Sequence, residues 1–216
     1  MFKDRKEAGE KLAKALEKYK NKKVIVLGIP RGGVEVAYYV AKHLNAKLSI
    51  IVSRKLPYPN NPEAGFGAIA EDGNIFIFED AKYSLPKEMI DRIIGEQKEE
   101  IKRRIKVLRK NKPLPEIKNK MVIIVDDGIA MGSTLMAAIM LCRKKKAKKI
   151  IIASPVSGKE FPKSIKNDVD EIIILEQPNF FQAVAQVYRN WHDVSDEEVL
   201  KIMDKWEKEH QEISIT

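Results

Sequence analysis

The sequence predicts an α/β fold, a mostly parallel twisted sheet flanked by helices with a small C-terminal hood region, and three observations carry that prediction. Short apolar runs at 23–28, 47–53, 121–125, 149–154 and 171–175 alternate with longer segments of helical spacing, and a βα order puts crossover helices between parallel strands. The run at 121–125 is continuously apolar, without the in-out alternation of a half-exposed strand, as expected of a strand covered on both faces. Two of the runs, 23–28 and 121–125, pass directly into glycine-bearing turns that open helices. That is where sheets of this kind bind ligands.

Phe2, Ala8, Leu12, Ala13 and Leu16 recur at helical spacing and predict a helix over about 3–19. The strand 23–28 follows; Gly32 and Gly33 open a helix over 34–44, and 47–53 completes a βαβ unit. Residues 54–65 hold three prolines, two asparagines and a glycine, which marks a loop long enough to be functional. Two short strands, 67–71 and 74–78, flank the turn Asp72-Gly73. A long charged helix spans about 86–110, with Ile90, Ile93, Ile94, Gln97, Ile101, Ile105 and Leu108 along one stripe. Opposite charges four residues apart on its outer face place its lysines and arginines mostly in solvent, and Pro113 and Pro115 end it. After strand 121–125 come a helix over 133–145, a strand 149–154, a short helix near 159–166 and a last strand 171–175. A segment 180–191 leads to a final helix, 196–209, capped by Ser195 with Glu198 three residues later. The expectation is one domain over 1–216, with a core over about 20–176 and the hood and last helix over about 177–216.

Forty basic against 31 acidic residues give a net charge of +9, which favours polyanionic ligands. The basic run 143–149 complements the end of a helix dipole and lacks interleaved aromatics, so a solvated face is favoured there over a nucleic-acid patch. Cys142, the single cysteine, excludes an internal disulfide and is expected in the core. No apolar stretch suits a signal sequence or a membrane span, so a cytoplasmic protein without a membrane partner is expected. His43, His192 and His210 have no metal-ligand spacing, and surface roles are expected of them.

The chemistry concentrates in 122–135, VIIVDDGIAMGSTL. Gly128, Gly132, Ser133 and Thr134 let backbone N–H groups converge on an anion, and the helix beginning there adds its positive end. Asp126 and Asp127 suit hydrogen bonds from a sugar diol rather than contact with a phosphate. An ordinary βα connection would also use a strand, an Asp-Gly turn and a helix. A second turn, Gly28-Ile29-Pro30-Arg31-Gly32-Gly33, allows close backbone approach and supplies the planar charged donor of Arg31. At the end of the second strand, Arg54 and Lys55 are cations suited to developing negative charge, or else solvated. In the tail, Phe180, Phe181, Tyr188 and Trp191 could hood the site and face a planar base, although Phe181, Val184, Val187 and Tyr188 have the spacing of an ordinary packed helix.

The segment 122–135 resembles the 5-phosphoribosyl 1-diphosphate (PRPP) binding motif of type I phosphoribosyltransferases: apolar strand, two acids, then a loop of the kind G-I-A-T-G-S-T. The turn 28–33 resembles that family's diphosphate loop, and Arg54-Lys55 the basic step beside the diphosphate. Together with LGIPRGGVEVA, RKLPYPNNPEAGFGAIAEDG and the terminal SDEEV, the chain is similar over nearly its whole length to a stand-alone branch of unestablished acceptor. The resemblance implies transfer of 5-phosphoribosyl from PRPP to a nitrogenous base or related nitrogen acceptor, with magnesium as cofactor and a homodimer as assembly. It implies that Arg31, Gly32 and Gly33 hold the diphosphate, that Gly128, Ile129, Ala130, Met131, Gly132, Ser133 and Thr134 hold the 5′-phosphate, and that Asp126 and Asp127 order the ribose and the magnesium shell through water. It also implies non-standard backbone geometry near 29–32, and a flap over the 60–67 loop that covers the reacting sugar. Met131 departs from the family, which usually has threonine there; a threonine hydroxyl on a phosphate is worth about 1 kcal/mol or somewhat more. Met131 and the basic charge also admit a non-catalytic regulator that senses PRPP or a nucleotide, with nucleic acid as a less favoured partner. An enzyme acting on a phosphorylated nucleoside without diphosphate is a third reading.

Overall fold

The computed structural model describes residues 1–130, 132–159 and 163–211. Its centre is a five-stranded parallel sheet in the order β2-β1-β6-β7-β8, formed by β1 (Val24–Gly28), β2 (Lys47–Ile50), β6 (Met121–Val125), β7 (Lys149–Val156) and β8 (Glu171–Glu176). Alternate residues of the strands face opposite ways. Leu27, Val122, Ile124, Ile150 and Ile152 pack towards α5 (Ser133–Lys144), while Val24, Val26, Ile123, Val125 and Ile151 pack towards α1 (Arg5–Ala15) and α2 (Gly32–Leu44). Both faces are covered, as continuous apolar runs require. Gly28 pairs with Val125, so β1 and β6 end level and release their following loops side by side.

A second sheet, antiparallel in the order β3-β4-β5, stands beside the first: β3 (Ser53–Tyr58), β4 (Asn61–Ala70) and β5 (Ile75–Ile77). Here the sequence expectation needs correcting. The apolar run expected as one strand over 47–53 divides, β2 ending at Ile50 and Ser53 opening β3 in the other sheet. The proline-rich stretch expected as a loop is a hairpin whose pairing shifts between Leu56 and Pro57 and between Pro57 and Tyr58. An edge strand with a bulge tolerates proline, because its missing N–H is not needed in the ladder. Leu56 and Phe66, both fully buried, supply the hydrophobic face that holds the hairpin in place.

A short helix α3 (Glu79–Ser84), not expected from sequence, precedes the long α4 (Lys87–Leu108). The arginines of α4 do not all solvate. Residues 93, 97, 101, 104 and 108 share its buried stripe, and the fourth of them is Arg104, 7% exposed. Arg109, just beyond the helix, is equally buried and grips Glu71 at 2.9 Å through Nη1, which also donates to the Ile50 carbonyl at 3.0 Å. That pair joins the end of α4 to the passage between the two sheets.

The C-terminal half follows the prediction more closely, with α5, then β7 reaching Val156 and α6 (Lys163–Asp168). The start of the helix expected near 159 includes 160–162, which lie outside the described residues. The segment 180–191 is mostly irregular, with one 3-10 turn at Val184–Val187. The last helix, α7 (Asp196–Gln211), carries the expected reciprocal cap: Glu198 N donates to Ser195 Oγ at 3.1 Å and Ser195 N to Glu198 Oε2 at 2.7 Å. The initial helix is shorter than expected and is followed by a 3-10 turn, Glu17–Tyr19. Cys142 is buried, and burial pushes its thiol up to about 12. No described helix is long and apolar enough to cross a membrane.

Candidate active site

The loop after β6 rests on its neighbours through the main chain. Ile129 N donates to the Val156 carbonyl at 2.9 Å, and Gly158 N donates to the Ile129 carbonyl at 3.1 Å. Gly132 has φ +75°, a conformation that favours glycine, and stands at the N-terminus of α5 with no side chain capping that end. The amides of the first helical turn are therefore available to an anion. Ser53 Oγ donates to the Thr134 carbonyl at 2.9 Å and ties the base of the hairpin to this turn. A cavity of about 170 Å³ results, lined by Asp126, Gly128, Ile129, Ala130, Gly132, Ser133, Thr134 and Leu135, with Lys55 and Gly65 of the hairpin on its rim. Met131, placed in the same loop by sequence, lies outside the described residues.

The two acids diverge. Asp126 lines the cavity, and its Oδ1 accepts from the Asp127 amide at 2.9 Å. Burial, followed by the negative charge of Asp127, raises its carboxyl well above the ordinary aspartate value. Asp127 turns towards the N-terminal helix, where Arg5 Nε donates to its Oδ2 at 2.8 Å. Arg5 is 3% exposed. The expectation that both carboxylates order ribose and metal together is corrected to this extent: one oxygen of Asp127 already serves a buried cation.

Gly32 and Gly33 seat these acids. A Cβ on Gly33 would lie 2.8 Å from the Val125 carbonyl oxygen and 2.9 Å from Asp126 Cα; one on Gly32 would lie 1.9 Å from Asp127 Oδ2. The glycines expected to cradle diphosphate thus also let the first loop press against the second. Gly33→Ala must move backbone rather than a flexible side-chain end, so a loss of about 1–3 kcal/mol is expected. Chemical denaturation checks it; a loss under ~0.5 kcal/mol would contradict the contact.

Beside the glycines, the peptide bond between Pro30 and Arg31 is cis, which meets the expectation of non-standard geometry over 29–32. Arg31 is partly exposed, with Nη1 3.8 Å from Asp196 Oδ1. Arg103 Nη1 donates to Asp196 Oδ2 at 2.7 Å, and Arg104 Nη1 donates to the Pro30 carbonyl at 3.4 Å. Arg54 is half-buried and donates from Nε to Gln97 Oε1 at 3.0 Å. Burial first, and the charge of Arg104 second, hold the Arg54 guanidinium below its ordinary range. Hydrogen bonds from Arg103 and Arg104 take Glu100 down to about 2. Four arginines thus gather by the diphosphate-type loop, with Glu100 and Asp196 as their acidic partners.

Sequence reasoning found Arg31 and Arg54 but not Arg5, Arg104 or Asp196. A signal existed for two of them. Arg104 shares the stripe of Ile93 and Ile101, and Arg5 that of Ala8 and Leu12; a cation among core positions implies a buried partner.

The hood residues separate into two groups. Phe180 is 86% exposed, and Phe181 stands over Gly158, 3.5 Å from where a Cβ would be. Tyr188 is 5% exposed and donates from its hydroxyl to the Asp127 carbonyl at 2.6 Å. Trp191 lies against the Arg5 guanidinium, 4.0 Å from the ring centroid. Tyr188 and Trp191 therefore brace Asp127 and Arg5 rather than offering faces to an acceptor. His192 accepts from Arg5 through its carbonyl, and its ring meets Glu198 at the surface.

A larger cleft, about 1200 Å³, opens at the opposite end of the sheet between β2, the 113–116 segment and α7. It has neither the acids nor the glycine loops, and ligands of parallel sheets bind at the carboxyl ends of strands.

Comparison with known proteins identifies the family. The family profile described as phosphoribosyl transferase domain matches residues 3–190. A Mycobacterium tuberculosis protein, present in strains CDC 1551 and H37Rv and named as a phosphoribosyl transferase, is 38% identical over 98% of this chain. The chain spans about half, 48%, of the length of those curated relatives. The crystal structure of TT1426 from Thermus thermophilus superposes with a TM-score of 0.79 at 33% identity, covering 95% of this chain and 98% of that one. The AQ2163 protein from Aquifex aeolicus shares the fold alone, with a TM-score of 0.50 at 18% identity, covering 79% and 73% of the two chains. A glycine-seated acid pair and an amide-lined cup at adjoining strand ends thus accompany similarity over almost the whole chain, which belongs to the phosphoribosyl transferase family.

Proposed function

We propose that the protein transfers the 5-phosphoribosyl group of PRPP to a nitrogen acceptor and releases diphosphate. The observation that carries this reading is the adjacency of the cup at the N-terminus of α5, the cavity-lining Asp126 and the arginines beside Arg31. Amides of Gly128, Ala130, Gly132, Ser133 and Thr134 hold the 5′-phosphate, with Ile129 and Met131 in the same loop, the Ile129 amide being engaged by the Val156 carbonyl. Asp126 accepts from a ribose hydroxyl, and Asp127 offers its second oxygen to the sugar. Arg31, Gly32 and Gly33 hold the diphosphate, and Arg54 and Lys55 meet the charge that develops on it. The C1–O bond breaks, its electron pair leaves with the diphosphate, and the acceptor nitrogen bonds to C1 and then loses its proton. Most of the rate comes from position and from fixed charge. Phe180 and Phe181, which remain open at the rim, face the acceptor.

Magnesium is part of this proposal, and the donor set suits it. Among the described residues no group of three His, Cys, Asp or Glu side chains could enclose a metal. Such an ion would keep its waters and bind mainly to substrate oxygens, with Asp126 and Asp127 reached through water. When bound, it neutralises diphosphate charge. The family resemblance extends the proposal to a cytoplasmic homodimer.

A diphosphate-release assay with PRPP, magnesium and purine, pyrimidine and small-amide acceptors tests the reading. Release that depends on one acceptor class supports it. Tight PRPP binding with no release for any acceptor would replace it with a PRPP sensor, the regulator that Met131 and the basic charge admit.

A further inference from the structure

We propose that Arg5 is a positioning residue for the sugar-binding acid, and that residues 2–5 and 187–192 form a clasp that holds Asp127 at both its side chain and its main chain. The inference rests on the ribose-binding role proposed above. Its geometric basis is independent of that role.

Arg5 sits on the first turn of α1, far in sequence from the loop it serves. Its guanidinium lies in a closed setting: Nε on Asp127 Oδ2 at 2.8 Å, Nη1 on the His192 carbonyl at 3.0 Å, and the Trp191 ring 4.0 Å from Cζ. The main chain of Asp127 is held separately, by the Tyr188 hydroxyl at 2.6 Å. Both grips come from a small joint between the first residues and the hood. Phe2 N donates to the Val187 carbonyl at 2.7 Å, Arg189 N to the Phe2 carbonyl at 2.9 Å, and Asn190 N to the Lys3 carbonyl at 2.9 Å. The Phe2 and Tyr188 rings pack 5.7 Å apart.

A buried ion pair is costly to desolvate, and apolar residues of similar volume often serve stability as well or better. What the ion pair adds here is direction. An unrestrained carboxylate turns about its last torsion. With Arg5 on Oδ2, one oxygen is fixed. Asp127 keeps 14% of its side chain exposed, and in this proposal its second oxygen receives a sugar hydroxyl. Gly32 completes the arrangement, since a Cβ there would stand 1.9 Å from Oδ2 and 2.9 Å from Arg5 Nε.

The experiment compares two probes, inorganic phosphate and ribose 5-phosphate, by titration calorimetry on the full chain, alongside KM and kcat for PRPP. Phosphate reports the cup; ribose 5-phosphate reports the cup and the acids together. Arg5→Met is expected to weaken ribose 5-phosphate roughly tenfold or more and to raise KM for PRPP, with phosphate affinity within about twofold of wild type. Arg5→Lys restores part of the difference. Tyr188→Phe, which removes only the hydroxyl, moves the same readouts in the same direction by less and stands in should Arg5→Met fail to fold. Equal losses for both probes, or unchanged ribose 5-phosphate binding in a folded variant, would overturn the proposal. Failure of the wild-type protein to bind ribose 5-phosphate would instead count against the transferase reading itself.

Discussion

If the proposed transfer holds, Asp126→Asn is expected to lower the rate of diphosphate release from PRPP by about two to four powers of ten, the range for loss of a positioned carboxylate from a reacting centre. Its stability does not fall with its activity. The Oδ1 atom that accepts from the Asp127 amide is retained by asparagine, while the buried negative charge is removed. The sign follows from the direction of the shift. Asp126 has a raised carboxyl in the folded protein, owing to burial and then to Asp127, so its contribution to stability is fully present below the unfolded value and is lost as pH rises through the folded one. The asparagine variant escapes that loss. Its melting temperature relative to wild type should therefore rise between mildly acid and neutral pH, while turnover stays low throughout. Wild-type turnover in the variant would remove Asp126 from the proposed chemistry, and a melting difference independent of pH would contradict the charge argument.

The largest effect on stability is expected away from the site, at Arg109. Removing one partner of a buried pair leaves the other charge uncompensated, at about 3–5 kcal/mol. Arg109→Met is expected to lose that amount because Glu71, with a side chain 8% exposed, keeps, among the described residues, the Val52 amide at 3.0 Å as its side-chain partner. For a chain of this size the loss corresponds to a melting temperature lower by on the order of 10 °C. The double variant Arg109→Met with Glu71→Leu should recover most of it, since apolar residues of similar volume replace buried ion pairs well. A single-variant loss below ~1 kcal/mol would show that the pair is hydrated and that the two sheets are joined by other contacts.

How far the sequence discloses this protein depends on what each position must satisfy. The strands β1, β6 and β7, the cup and the Ser195 cap were legible because period, capping chemistry and glycine placement all agree there. The hairpin was not, since prolines at 57, 59 and 62 argue for a loop unless one knows that a bulged edge strand will absorb the first, the turn the second and the outer end of β4 the third. Within the site, residue types were legible and directions were not. Nothing local to Asp126-Asp127 tells which acid faces the cavity, because the answer is set by Arg5, well over a hundred residues earlier. Tyr188 and Trp191 were read as an acceptor wall for the same reason: aromatic residues near a site can face a ligand or brace a cation, and only the fold separates the two. Arg104 was hidden by the ordinary habit of assigning arginines on a charged helix to solvent.

The cup at the start of α5 is built from peptide N–H groups, with Gly132 in a left-handed conformation. Peptide donors carry no titratable proton, so the cup's own donors stay competent across the whole pH range in which the fold survives. They also belong to no particular side chain. Exchange at Ser133 or Thr134 can adjust the grip, whereas abolishing it requires a residue at position 132 that cannot adopt the left-handed turn.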